Sequence, residues 1–216
     1  MREHSKIISN FDNLPLDVII SSPSHPIGIV VIAHGMCEHK ERYNQFIDFL
    51  TKNNYACVIN DHRGHGKSIL NKDDLGYFYE NGDIGIVEDL HQLVVMMKNR
   101  YKHLPIYLFG HSMGSLVVRN YIKKYDHEIN GLIVCGSPSF NPSCHLAISV
   151  CDILTKFKGD HHRSKLLRSL SVDAFNKNFD KNVSSQLFKN MRHEILNEKK
   201  KDVVYSNILK TLKSWE

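Results

Sequence analysis

Apolar and polar positions follow two periods in this chain, and the switch between them recurs over the first two thirds. Leu16-Asp17-Val18-Ile19-Ile20 reads as a half-buried strand, a β-branched run carrying one polar position. Ile27 to Ala33 is almost wholly apolar, as a strand covered on both faces must be. Tyr43, Phe46, Ile47, Phe49 and Leu50 then fall at helical spacing, and Asn53-Asn54 supplies a stop. Tyr55 to Ile59 is a second buried strand, followed by a loop from Asp61 to Ser68 with two glycines. Ile86, Leu90, Leu93, Val94 and Met97 mark an amphipathic helix. Pro105 to Phe109 is a strand, Leu116, Val118, Tyr121 and Ile122 line a helix, and Ile129 to Cys135 is one more strand. Strands alternating with helices in this way predict an α/β fold, a mostly parallel sheet with helices on both faces.

The pattern changes after Pro138. Leu146 to Phe157 and Ser164 to Phe175 read as two helices joined by the polar stretch Lys158 to Arg163. Ser185-Gln186-Leu187-Phe188 is a candidate last strand, and Val203, Val204, Ile208, Leu209, Leu212 and Trp215 make a C-terminal amphipathic helix.

Composition narrows the class. The chain has 216 residues, 42% hydrophobic and 24% charged, the balance of one globular domain. No apolar run approaches the roughly 18 residues of a membrane span, and the N-terminus lacks a signal-peptide core, so a cytoplasmic protein is expected. Lys and Arg number 28 against 23 acids, a mild excess unlike that of a dedicated nucleic-acid binder. Lys199-Lys200-Lys201 lies beside Glu198 and Asp202 and reads as a solvated helix start. The 14 histidines are scattered, without a metal-ligand spacing, and no cofactor is expected. The five cysteines form no CxxC pair and read as small hydrophobes in a reducing compartment.

The sharpest chemical signal is Gly110-His111-Ser112-Met113-Gly114, a GxSxG pentapeptide. About 0.07 such matches are expected by chance at this length, and this one stands where a strand ends and a helix begins. That is the position of a nucleophile elbow, with Ser112 at its apex. His34-Gly35-Met36 follows the buried strand that ends at Ala33, where a loop can aim N–H donors at an oxyanion. The donors expected there are the Met36 and Met113 amides. Chain order places the general base in a late loop, and His193 in Met191-Arg192-His193-Glu194 fits. Gly64-His65-Gly66-Lys67-Ser68 has the ending of a P-loop, but Asp61 stands where its first glycine belongs, so nucleotide binding is not expected.

These blocks together resemble one family. His34-Gly35-Met36-Cys37-Glu38-His39, Asp61-His62-Arg63-Gly64-His65-Gly66-Lys67-Ser68, Gly110 to Ser115 and Arg192-His193-Glu194-Ile195-Leu196-Asn197-Glu198 are similar to blocks of the monoacylglycerol lipase and bacterial lysophospholipase group of α/β-hydrolases. That group is also described as serine aminopeptidase-like. The resemblance implies Ser112 as nucleophile, His193 as base, the Met36 and Met113 amides as oxyanion hole, and a structural role for the 61–68 loop. It implies a small acyl-ester or lipid substrate and peripheral contact with a membrane surface. The corresponding division is a core over 1–140, a shortened helical cap over 141–183, and the last strand, histidine loop and terminal helix over 184–216.

One part of the family pattern is missing. Members carry a catalytic Asp on a turn after a strand between cap and histidine loop, and no β-rich run precedes Asp152, Asp160, Asp173 or Asp180. Two cap helices of roughly 11–12 residues leave too little of 139–183 for the further 25 or so that strand, turn and helix need. No acid is assigned. Two readings follow: a serine hydrolase of carboxylic esters with weak turnover, or a non-catalytic hydrolase-like remnant or binding protein.

Overall fold

The computed structural model describes residues 1–137, 186–188, 191 and 193–215. Among them six strands form one sheet: β1 (Arg2–Ile8), β2 (Pro15–Ser21), β3 (Gly28–Ala33), β4 (Tyr55–Asn60), β5 (Ile106–His111) and β6 (Gly131–Cys135). Their order is β1-β2-β4-β3-β5-β6. β1 and β2 are an antiparallel hairpin, β2 pairs antiparallel with β4, and β3 to β6 are parallel. Four α-helices among the described residues pack on it: α1 (Asn44–Lys52), α2 (Gly82–Arg100), α3 (Met113–Tyr125) and α4 (Lys201–Lys213). This is the expected α/β-hydrolase architecture.

The two-residue period of β3 divides its side chains between two cores. Ile29, Val31 and Ala33 join Leu90, Val94 and Met97 of α2 and Val118 and Tyr121 of α3. Val30 and Ile32 face the other way, with Phe46, Ile47 and Leu50 of α1 and Val204, Tyr205, Ile208 and Leu212 of α4. A sheet covered on both sides explains why the parallel strands read as continuous apolar runs.

Several boundaries differ from the sequence reading. β2 is buried on both faces, because Asp17 is neutralised within the core by the Lys40 ammonium at 2.6 Å. β1, unpredicted, carries Glu3, His4, Ser5 and Lys6; main-chain pairing to β2 from Arg2↔Ser21 to Ile8↔Pro15 holds it, with Ile7 alone of its side chains packing on the core. β5 continues through Gly110 and His111, and β6 begins at Gly131. Residues 186–188 are not strand: Leu187 is 91% exposed, and only Phe188 packs on the core. The helices expected over 146–157 and 164–175 lie outside the described residues. α4 starts at Lys201, inside the basic run, and Trp215 just beyond it lies over Gly131 and stacks on Tyr107 at 5.8 Å between centroids. No helix among the described residues is long and apolar enough to cross a membrane.

Candidate active site

The C-terminal ends of β3 and β5, the start of α3 and the loop before α4 converge on Ser112. The chain turns from strand to helix at that residue in a conformation L-residues rarely adopt, φ 51° and ψ −116°. The flanking glycines are required by contact. A Cβ at Gly114 would lie 2.1 Å from the Ala33 carbonyl oxygen, and one at Gly110 would lie 2.5 Å from the Gly114 carbonyl oxygen. The elbow is pinned from the main chain, since Ser112 N–H donates to Cys135 O at 2.9 Å.

The His34-Gly35-Met36 loop lies directly against this elbow: a Cβ at Gly35 would be 3.2 Å from Ser112 Cβ. His34 is buried and bonded on both sides, its Nδ1–H to Gly35 O at 2.7 Å, while Nε2 accepts the His62 amide at 2.9 Å. That arrangement needs the neutral ring, and burial depresses its pKa to about 4. Met36 is exposed at the mouth of the loop, and Met113 opens α3, where the first amides have no carbonyl one turn back. Neither amide donates to a backbone carbonyl among the described residues.

His193 sits across from the elbow, its Nε2 at 2.8 Å from Ser112 Oγ, joining residues 81 apart in the chain. Its loop is anchored by Leu196, which is buried and offers its carbonyl to Tyr205 OH at 2.9 Å. Arg42 spans from Glu38, at 3.3 Å, to an ion pair with Glu194. Asp152, Asp160, Asp173 and Asp180 lie outside the described residues.

Glu38 carries more of this site than its sequence position suggested. One of its oxygens accepts Gly35 N–H at 2.7 Å and Tyr43 OH at 2.8 Å, and lies 3.5 Å from His111 Nδ1. Burial would raise its pKa, but His111, Tyr43 and the Gly35 amide together hold it at about 2. The signal was present as a carboxylate three residues after the glycine of the HG loop.

A match to the family model described as serine aminopeptidase, S33 covers residues 24–182, well over half of the chain. The chain belongs to that family. Among family relatives, a monoacylglycerol lipase of Mycolicibacterium smegmatis is 34% identical over 54% of this chain and 39% of its own length. The human monoglyceride lipase is 32% identical over 43% of this chain and 29% of its own. A thermostable carboxyl esterase from Bacillus coagulans superposes with a TM-score of 0.70 and 29% identity, over 78% of this chain and 55% of that one. A soluble variant of the monoglyceride lipase of Saccharomyces cerevisiae gives 0.60 and 25%, over 73% and 52%. The chain spans about half the length, or less, of the relatives it matches.

The Asp61–Ser68 block is interior framework. Asp61 holds the Lys40 ammonium at 2.8 Å and the amides of Lys40 and Lys67, each also at 2.8 Å. Arg63 is fully buried between Asp89 at 2.9 Å and Asp12 at 2.8 Å. A Cβ at Gly66 would lie 2.2 Å from an Asp61 carboxylate oxygen, so the loop folds onto its own acid and forms no phosphate cradle. Of the cysteines, Cys57 and Cys135 are buried as expected, whereas Cys37 is exposed beside the HG loop, and Cys144 and Cys151 lie outside the described residues.

Proposed function

We propose that this chain is a serine hydrolase of carboxylic esters, of the monoacylglycerol lipase or lysophospholipase kind. The observation carrying this reading is the 2.8 Å approach of His193 Nε2 to Ser112 Oγ on a strained strand-to-helix turn. Ser112 Oγ attacks the ester carbonyl carbon while His193 Nε2 takes its proton. The carbonyl oxygen becomes an oxyanion received by the amides of Met36 and Met113. Collapse expels the alcohol, protonated by His193, and leaves an acyl group on Ser112. Water, deprotonated by the same histidine, then releases the carboxylic acid. A groove of about 360 Å³ opens beside Met113, lined by Phe78, Ile86, Val87, Leu116 and Val117 with Asp83 and Asn120. Its apolar lining suits an acyl chain, and a lipid substrate would bring the protein to a membrane surface.

Turnover is low in this proposal, because the sequence has no β-rich run ahead of Asp152, Asp160, Asp173 or Asp180 from which an acid-bearing turn could come. Disabling the acid in characterised triads costs about 10⁴ in turnover. The test is labelling of the folded chain with a fluorophosphonate, together with hydrolysis of a short p-nitrophenyl ester. Labelling lost in Ser112→Ala and His193→Ala is expected, with slow hydrolysis. A folded chain that is not labelled would overturn the reading and favour a non-catalytic hydrolase-like binding protein. Hydrolysis at ordinary enzymatic rates, lost in Ser112→Ala, would overturn only the claim of weak turnover.

A further inference from the structure

His111 ends β5 and precedes the nucleophile, and it is buried at 3% exposure although the proposed reaction does not use it. Its Nε2 lies 3.1 Å from the main-chain carbonyl oxygen of His193. A carbonyl only accepts, so this nitrogen carries the proton. We infer that His111, backed by Glu38, is a positioning residue: it seats the His193 loop against Ser112 by holding the His193 carbonyl. This deepens the hydrolase reading and rests on it.

The geometry supplies two attachments to one residue. Ser112 meets the His193 ring through Oγ, and its chain neighbour His111 meets the His193 main chain through Nε2. His111 ends β5 and Ser112 follows it, so the main chain and the ring of the base are both held against adjacent residues at the end of one central strand.

Glu38 backs the other nitrogen of the same ring. Its carboxylate lies at ion-pair distance, 3.5 Å, from His111 Nδ1 while also accepting Gly35 N–H. Burial disfavours the His111 imidazolium, yet Glu38 and the His193 carbonyl outweigh it and raise its pKa. The other groups facing His111 are the His193 ring, 5.1 Å away between centroids, and Glu194, with Arg42 beyond Glu38. The oxyanion loop, the nucleophile strand and the histidine loop therefore share one buried pair.

The full chain tests this with His111→Leu, His111→Gln and Glu38→Gln, read by kcat and KM on a p-nitrophenyl ester and by amide hydrogen exchange over 194–197. His111→Leu is expected to lower kcat by up to about 100-fold with KM changed less than about twofold, since a displacement near 1 Å suffices for that loss. Exchange over 194–197 should quicken in parallel. His111→Gln, whose side-chain amide can stand in for Nε2–H, should recover most of both. Equal kcat and equal exchange in the Leu and Gln variants would overturn the inference and leave His111 as packing alone. If His111→Leu does not fold, Glu38→Gln decides: reduced kcat and faster exchange support the pair, and wild-type values overturn it. If the wild-type chain is neither labelled nor active, the hydrolase reading fails, and the exchange comparison alone still decides the role of His111.

Discussion

At the scale of single residues the site is a set of close approaches bought with backbone strain. Ser112 holds a positive φ that favours glycine, and such strain costs about 1–3 kcal/mol. Glycine's greater unfolded-state freedom offsets roughly 0.5–1 kcal/mol of any relief. Ser112→Gly is therefore expected to be more stable than Ser112→Ala by about 1 kcal/mol, a rise in melting temperature of roughly 2–4 °C at this size. An alanine variant melting as high as the glycine variant would show that the strain stored there is no larger than glycine's unfolded-state offset of about 0.5–1 kcal/mol. Gly114→Ala tests the other side of the turn, because its Cβ would lie 2.1 Å from Ala33 O and 2.6 Å from His34 O. Overpacking of this kind costs about 1–3 kcal/mol, and here it also pushes the HG loop off the elbow. Lower melting temperature and lost fluorophosphonate labelling should appear together. The two glycines and the serine were legible in the sequence because their spacing is itself the geometric requirement. Glu38 and His111 were not: each has an ordinary identity, and its importance comes from partners that the fold brings together.

At the scale of elements, those that bury an apolar face were readable, and those held by polar contacts were not. The alternation of β3 between two cores and the apolar stripes of α2 and α4 follow from composition and period. β1 escapes that logic, since it is an edge strand held by its ladder to β2. The turn Lys40–Tyr43 before α1 is another case: a lysine at a helix start reads as surface, yet Lys40 is wholly buried. Its ammonium lies 2.6 Å from Asp17, 2.8 Å from Asp61 and 3.0 Å from Glu41, tying β2, the residue just after β4 and the turn together. Burial disfavours the charged amine, but the three carboxylates outweigh it and raise its pKa. Lys40→Met keeps the volume and strands buried carboxylates, a loss of about 3–5 kcal/mol by analogy with broken buried pairs. Urea denaturation should show that loss as a lower midpoint with an unchanged slope. A midpoint near that of the wild type would mean that the carboxylates take up protons or water at little cost.

At the scale of the whole molecule, the buried histidines couple stability to pH. His34, His62 and His65 pack together, with ring centroids 4.2 Å apart for His34–His62 and 5.4 Å for His34–His65. Burial lowers the pKa of all three, that of His34 to about 4. Unfolded imidazoles bind protons near pH 6.5, so between that value and the lower folded values the unfolded chain binds more of them. Their contribution is thus fully present above pH 6.5 and is lost as the pH falls through the folded values. His111 has the opposite sign: its raised pKa adds stability below pH 6.5 that disappears as the pH rises through its folded value. Glu38 and Glu41, both held at about 2, lose their contributions only below about pH 4.5. His62 isolates the histidine effect, because both its ring nitrogens are buried without a hydrogen-bond partner among the described residues. Replacing it with a ring that cannot ionise therefore removes a proton-linked penalty and breaks no hydrogen bond of that ring. His62→Phe is expected to flatten the fall in stability between pH 6.5 and 4.5 by up to about 1.4 kcal/mol per pH unit, the limit for one proton. Chemical denaturation of wild type and variant across that range measures it, and parallel curves would mean that His62 does not titrate on unfolding.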